Sequence, residues 1–260
     1  MPRTFLATLH YDGTQFVGWQ RQREGRTVQQ VVEAVLERLS GAAARVHAAG
    51  RTDAGVHAVG MGVSFSLPDR WTPDALRRAM NALLPRDCWA AAVREARDGF
   101  HARTCATERR YEYLIGSDPQ AFSPFRRPYE WALGRGLDPE RLCRAAGQLL
   151  GEHDFGAFAV RSSPRPHTRC RIGTAVWEPR PDHRGYRFRI AADRFLHHMV
   201  RLLIGTMVDV ARHRRAEADL EGLLARERGL RTSPPAPPQG LYFLTAIYPD
   251  RWLLPEEAAG

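Results

Sequence analysis

Apolar and other residues alternate from Thr4 to Tyr11 with the period of a half-buried strand, and Asp12-Gly13-Thr14 then supplies a turn. The period lengthens next: Val28, Val31, Val32, Val35, Leu36 and Leu39 share one face of a helix. Thr27-Val28-Gln29-Gln30 opens that helix as a capping box and Gly41 stops it. Arg45 to Ala49 and Val56 to Phe65 read as strands joined by Gly50-Arg51-Thr52-Asp53-Ala54-Gly55. Thr72-Pro73 caps a second helix through Leu84, and Cys88 to Arg94 adds a closing strand. The order is β-α-β-β-α-β.

The second half repeats this order, with a strand at Arg109 to Ile115, a helix opened by Asp138-Pro139, and strands at Ile172 to Trp177 and Tyr186 to Ala191. A long helix from Arg194 to His213 follows, then a short one over Ala216 to Ala225. After the Pro-rich link Pro234 to Pro238, Leu241 to Tyr248 forms a last strand. The expected fold class is therefore α+β, with two similar halves at residues 1–105 and 106–260 and a cleft between them.

Charge narrows the function classes. The chain has 38 basic and 29 acidic side chains, a formal +9, and every basic side chain among the 38 is arginine. The planar guanidinium suits phosphate oxygens and guanine edges, so the excess is compatible with nucleic-acid binding. Cys88, Cys105, Cys143 and Cys170 form no Cys-x-x-Cys pair, which argues against a zinc knuckle or a disulfide framework and for free thiols. No run approaches the roughly twenty apolar residues of a membrane span. Met1-Pro2-Arg3-Thr4-Phe5 leads directly into a strand rather than a signal peptide, so a cytoplasmic protein is expected.

The loop from Gly50 to Gly55 sets Arg51 and Asp53 between glycines at a strand-to-strand turn, the kind of place where a rigid scaffold presents catalytic side chains. An aspartate there commonly does no more than bond its own backbone. Arg201 raises its interest. It is surrounded by Leu196, Met199, Val200, Leu202, Leu203, Ile204, Met207 and Val208, so the helix is expected to be buried, and a buried guanidinium requires an acidic partner. Asp53 is a candidate; the alternative is that the Arg201 side chain reaches along the helix to the surface, which is easier from a helix end than from the middle. In Arg110-Tyr111-Glu112-Tyr113, alternation puts both tyrosines on one face, where each either stacks on a base or packs in the core. His197 and His198, taken as neighbours on a helix, diverge by about a hundred degrees and do not share an ion. No metal site is expected, and no dinucleotide, phosphate-loop or Ser-His-Asp motif is present.

Taken together, the ordered segments resemble the bacterial tRNA pseudouridine synthase A family over almost the whole chain. The most specific is Ala49-Gly50-Arg51-Thr52-Asp53-Ala54-Gly55-Val56-His57-Ala58, similar to the family's catalytic signature without a substitution. Tyr11 to Thr14, Gly18-Trp19-Gln20, Thr27-Val28-Gln29 and Asn81 to Pro85 continue the likeness. So do Phe100 to Arg103, Arg110 to Tyr113, Gly151 to Phe155, Phe195 through Arg201, and Gly240-Leu241-Tyr242. There are two departures: Met61 stands where the family usually has Gln, and Leu202 where it usually has Asn.

The resemblance implies a pseudouridine synthase fold with the active site in the cleft between the halves. It implies isomerisation of uridine to pseudouridine at positions 38 to 40 of the tRNA anticodon stem-loop by a cofactor-free homodimer. It makes Asp53 the catalytic aspartate, Tyr111 the tyrosine packed on the target base and Arg201 the aspartate's ionic partner. Arg51 helps expel the base, and His57, Arg103, Arg110, His198 and Leu241 are further substrate-binding positions. The aspartate attacks C6 of the uracil, attacks C1′ of the sugar, or assists departure of the base, and each route needs an ionised carboxylate. Two other readings compete: a tRNA-binding protein of this fold, which has no need of Asp53, and an RNA-cleaving hydrolase, for which no paired acid and base is evident.

Overall fold

The computed structural model describes residues 2–159, 168–182 and 184–254. The chain divides into two units, Met1–Arg109 with Phe243–Gly260, and Arg110–Tyr242. The first runs β1 (Arg3–Tyr11), α1 (Val28–Ser40), β2 (His47–Ala48), β3 (His57–Leu67), α2 (Pro73–Leu83) and β4 (Cys88–Ala96). The second runs β5 (Glu108–Gly116), β6 (Trp131–Ala132), α3 (Pro139–Gly147), β7 (Gly151–Asp154), β8 (Arg169–Pro179), β9 (Gly185–Ala192), α4 (Met199–Ala211) and α5 (Ala218–Leu224). The strand β10 (Leu241–Ile247) returns most of its length to the first unit. The α+β class is as expected.

In the first unit β1 is antiparallel to β3 and β4, β10 borders β3, and β2 is antiparallel to β3. Phe5, Ala7 and Leu9 of β1 are fully enclosed, as are Val28, Val32 and Leu36 of α1 and Leu76 and Met80 of α2. Each large apolar side chain so buried contributes about 1.5–3 kcal/mol against exposure. The expected capping box is formed: the Thr27 hydroxyl accepts from the Gln30 amide at 3.3 Å, and Gln30 Oε1 accepts from the Thr27 amide at 3.0 Å. Gly41 ends α1 in the left-handed region.

In the second unit β9 lies between β5 and β8, β7 pairs antiparallel with β8, and β6 pairs parallel with β5. Asp138 caps α3 by accepting from the Arg141 amide at 3.1 Å, with Pro139 in the first turn. Helix α3 packs on α4 and β8, and Leu142, Phe188, Leu203, Ile204 and Met207 are fully enclosed. None of the four cysteines is in a disulfide, with Cys88 and Cys170 buried and Cys143 exposed. Among the described residues no helix is long and apolar enough to cross a membrane.

One helix differs from expectation. It begins at Met199 rather than Arg194, because His198 takes a left-handed backbone, φ 63°, that no helix can continue through. Leu196 is still buried, so the apolar run extends into non-helical chain.

Candidate active site

The Asp53 loop is held by the segment that follows β1. The Trp19 amide donates to the Thr52 carbonyl at 3.0 Å, the Gly55 amide to the Phe16 carbonyl at 3.2 Å, and the Val56 amide to the Asp53 carbonyl at 3.2 Å. Below the loop the Tyr11 and Thr52 hydroxyls form a buried 2.8 Å hydrogen bond. Gly18 has φ +101°, and a Cβ there would lie 2.7 Å from the Thr52 carbonyl oxygen, so only glycine passes this closely. Thr52 is thus fixed through side chain and backbone while Asp53, the next residue, is half-buried. A rigid turn carrying one accessible carboxylate is suited to covalent or general acid–base chemistry.

His57 is buried and its Nδ1 accepts from the Gly13 amide at 3.1 Å, with Asp12 Oδ1 at 3.3 Å. Accepting there places the proton on Nε2. Its backbone-holding contact makes it a support of the β1 turn and the Asp53 loop together. Arg51 and Arg103 are exposed. Arg109 spans three carbonyls, donating to Ala49 at 3.2 Å, Ala106 at 2.9 Å and Arg103, and so fastens the Arg103 segment beside the start of the loop.

In the second unit Tyr111 and Tyr113 do share a face of β5, both buried, while Arg110 is exposed. They differ in surroundings. Tyr113 is fully enclosed and donates its hydroxyl to the Pro237 carbonyl at 2.8 Å, and burial pushes its phenol well above the ordinary range, so it is core packing. Tyr111 sits edge-on to Phe195, ring centroids 5.1 Å apart. Leu241 is buried and His198 half-buried.

Arg201 is half-buried, not fully enclosed as the apolar run suggested. The late start of α4 puts it on the first turn, where its Nε donates to the Ala236 carbonyl at 2.8 Å and its own carbonyl accepts from the Ala236 amide at 2.9 Å. The Pro-rich segment thereby fixes the guanidinium. His197 and His198 precede the helix, and their rings lie 4.1 Å apart, so the divergence expected of helical neighbours does not hold.

The comparisons with known proteins decide the family. A family model described as tRNA pseudouridine synthase matches residues 7–103 and 145–249. The chain belongs to this family. It is 39% identical over 250 residues to the tRNA pseudouridine synthase A of Myxococcus xanthus, covering 96% of this chain and 93% of that one. The protein of the same name from Moorella thermoacetica is 40% identical over 237 residues, 90% and 95% of the two chains, and that of Escherichia coli O1:K1 37% over 258 residues, 97% and 92%. Both departures from the family pattern are buried: Met61 is enclosed in β3 opposite Leu9, and Leu202 is in the α4 core. Sequence reasoning gave Tyr11, Gly18, Trp19 and Thr52 no role in the chemistry because none of them carries a charge. The signal for Tyr11, Gly18 and Trp19 was the pair of N-terminal motifs, and that for Thr52 the signature itself, which the fold brings together at the Asp53 loop.

Proposed function

We propose that the protein is a tRNA pseudouridine synthase that isomerises uridine to pseudouridine in the anticodon stem-loop, positions 38 to 40, with Asp53 as its essential residue. The observation that carries this reading is the match to the family across both units, with the family's signature intact on a braced loop at Asp53. The reaction breaks the C1′–N1 bond, turns the uracil and joins C1′ to C5. N1 gains a proton and C5 loses one, so the change is redox-neutral and calls for no electron carrier. An ionised Asp53 supplies the nucleophile or assists base departure. Arg201 is the counter-charge and Tyr111 the surface against the base. The stacked target must first leave the helix, a step to which Arg51 contributes, while Arg103, Arg110, His198 and Leu241 hold the substrate and His57 serves binding by supporting the loop. The enzyme works in the cytoplasm as a homodimer without a cofactor or metal.

The test pairs native protein with Asp53→Asn, measuring tRNA affinity and pseudouridine yield under chelator. The amide keeps shape and loses charge. We expect pseudouridine to fall at least ~10²-fold while affinity changes by less than about tenfold. Substantial yield from the variant refutes the assignment, and chelator-sensitive native activity refutes the metal-free reading.

A further inference from the structure

A cavity of about 680 Å³ opens on the first unit between α1, the segment leading into β2, and the start of the Asp53 loop. That volume accommodates a nucleotide-sized group. Arg45, Arg51 and Arg103 line it, all three exposed, and among the described residues none of their guanidinium groups meets a carboxylate or a hydrogen-bond acceptor. This sets them apart from Arg21 at the same cavity, which is bound to Glu33 at 2.6 Å, and from Arg26, bound to Asp87 at 2.5 Å.

Between these arginines stand two imidazoles, His47 on β2 and His101 after β4, with ring centroids 4.3 Å apart. His101 Nδ1 accepts from the Arg103 amide at 3.1 Å, which leaves Nε2 as the atom able to donate outward. The His101 to Arg103 stretch is fixed, since the Ala102 amide donates to Ser64 Oγ at 2.9 Å and Arg109 holds the Arg103 carbonyl. Three uncommitted guanidiniums and two ring donors around one concavity make a recognition site for an anion with several acceptor oxygens.

We propose that this cavity is a phosphodiester-binding subsite for the RNA strand, formed by Arg45, Arg51 and Arg103 with the His47–His101 pair. The proposal rests on the uridine-isomerase reading and deepens it, adding His47, His101 and Arg45 to the substrate-binding residues. It carries a proton-linked consequence. Burial first, then His101 and Arg45, hold the His47 imidazole below its ordinary value, and Glu33 on α1 opposes them. The other charged groups facing it are Arg51, Arg103, the exposed Glu37 and the Arg21 already joined to Glu33. A phosphate seated here favours the charged imidazole, so His47 takes up a proton on binding and RNA affinity rises as the pH falls.

The experiment measures tRNA affinity and pseudouridine kinetics at constant ionic strength near pH 6 and near pH 8, roughly either side of the ordinary histidine value. The native protein should bind several-fold tighter at the lower pH. His47→Ala and His47→Gln should both lose that difference, with the defect in KM rather than kcat. Arg45→Ala should weaken binding at both pH values and reduce the slope of log affinity against log salt by about one. Thermal unfolding of each variant confirms that it folds, and the Gln variant carries the test if Ala does not. A pH difference retained by the folded His47 variants, or an unchanged salt slope in Arg45→Ala, overturns the subsite while native pseudouridine formation leaves the parent reading standing. A native protein that makes no pseudouridine overturns both.

Discussion

Thr52 joins the framework of the first unit to Asp53 by a hydroxyl on one side and a carbonyl on the other, and the hydroxyl contact can be isolated. Tyr11→Phe removes the 2.8 Å hydrogen bond from the buried Thr52 hydroxyl, and Thr52→Val removes the same bond from the Tyr11 side. Each single change should cost about 1–3 kcal/mol, whereas the double change removes both polar groups and should cost little more than either alone. Denaturant unfolding of the four proteins checks this, and strictly additive losses would show that the bond contributes nothing. The same cycle read in kcat should show each single variant impaired, because a small displacement of Asp53 misaligns the reacting atoms. Elsewhere, burial pushes the Cys88 thiol up to about 12 from 9.0. Above pH 9 the unfolded thiol ionises while the folded one keeps its proton, so stability is complete below pH 9 and declines as the pH rises toward 12. The melting temperature of native protein should fall across that window more steeply than that of Cys88→Ala, and Cys143, being exposed, should be the first thiol to react with a disulfide reagent.

Capped helices were the most legible elements. Thr27 and Gln30, Thr72 with Pro73, and Asp138 with Pro139 each announce a helix start by a local hydrogen bond, and each is found there. The start of α4 was not legible, because apolar side chains mark burial and not backbone sign: Leu196 is buried in non-helical chain, and nothing in the sequence marks His198 as left-handed. Strands β6 and β7 were missed for another reason. Two residues give no period, and Gly151-Glu152-His153-Asp154 is a polar strand at the end of its sheet with no apolar alternation to detect. The close packing of α4 on the Pro-rich segment was equally invisible, yet it sets Arg201. A Cβ at Gly205 would lie 2.1 Å from the Pro234 carbonyl oxygen. Gly205→Ala must therefore push that segment away and loosen the Ala236 contacts on Arg201. We expect a loss of about 1–3 kcal/mol in unfolding together with a fall in kcat, and a variant of native stability and activity would show that the segment does not position the guanidinium.

At the scale of the molecule, the order of elements in the first half was readable, but the assignment of the last strand was not. Pairing of β10 beside β3 joins residues separated by most of the chain, and no local periodicity encodes such a partner. Charge, by contrast, was fully visible as a total and silent about its distribution. The formal +9 does not say which arginines are spent on carboxylates. Arg126 and Arg180 on Glu130, Arg144 on Glu217 and Arg189 on Glu178 are committed to structure, while Arg45, Arg51 and Arg103 of the first unit are exposed on elements around the Asp53 loop. Exposed guanidiniums that contact phosphates displace condensed counterions, so log affinity for tRNA should fall linearly with log salt concentration. For an interface of about six to ten phosphate contacts the loss is about 10³- to 10⁵-fold between roughly 50 and 200 mM salt. Filter binding or fluorescence anisotropy across a salt series measures the slope. Asp53→Asn should leave it unchanged, since that residue contributes to reaction and not to phosphate contact. A flat dependence in the native protein would mean that these arginines do not meet the RNA backbone, and would remove the physical basis for reading the basic surface as the tRNA-binding face.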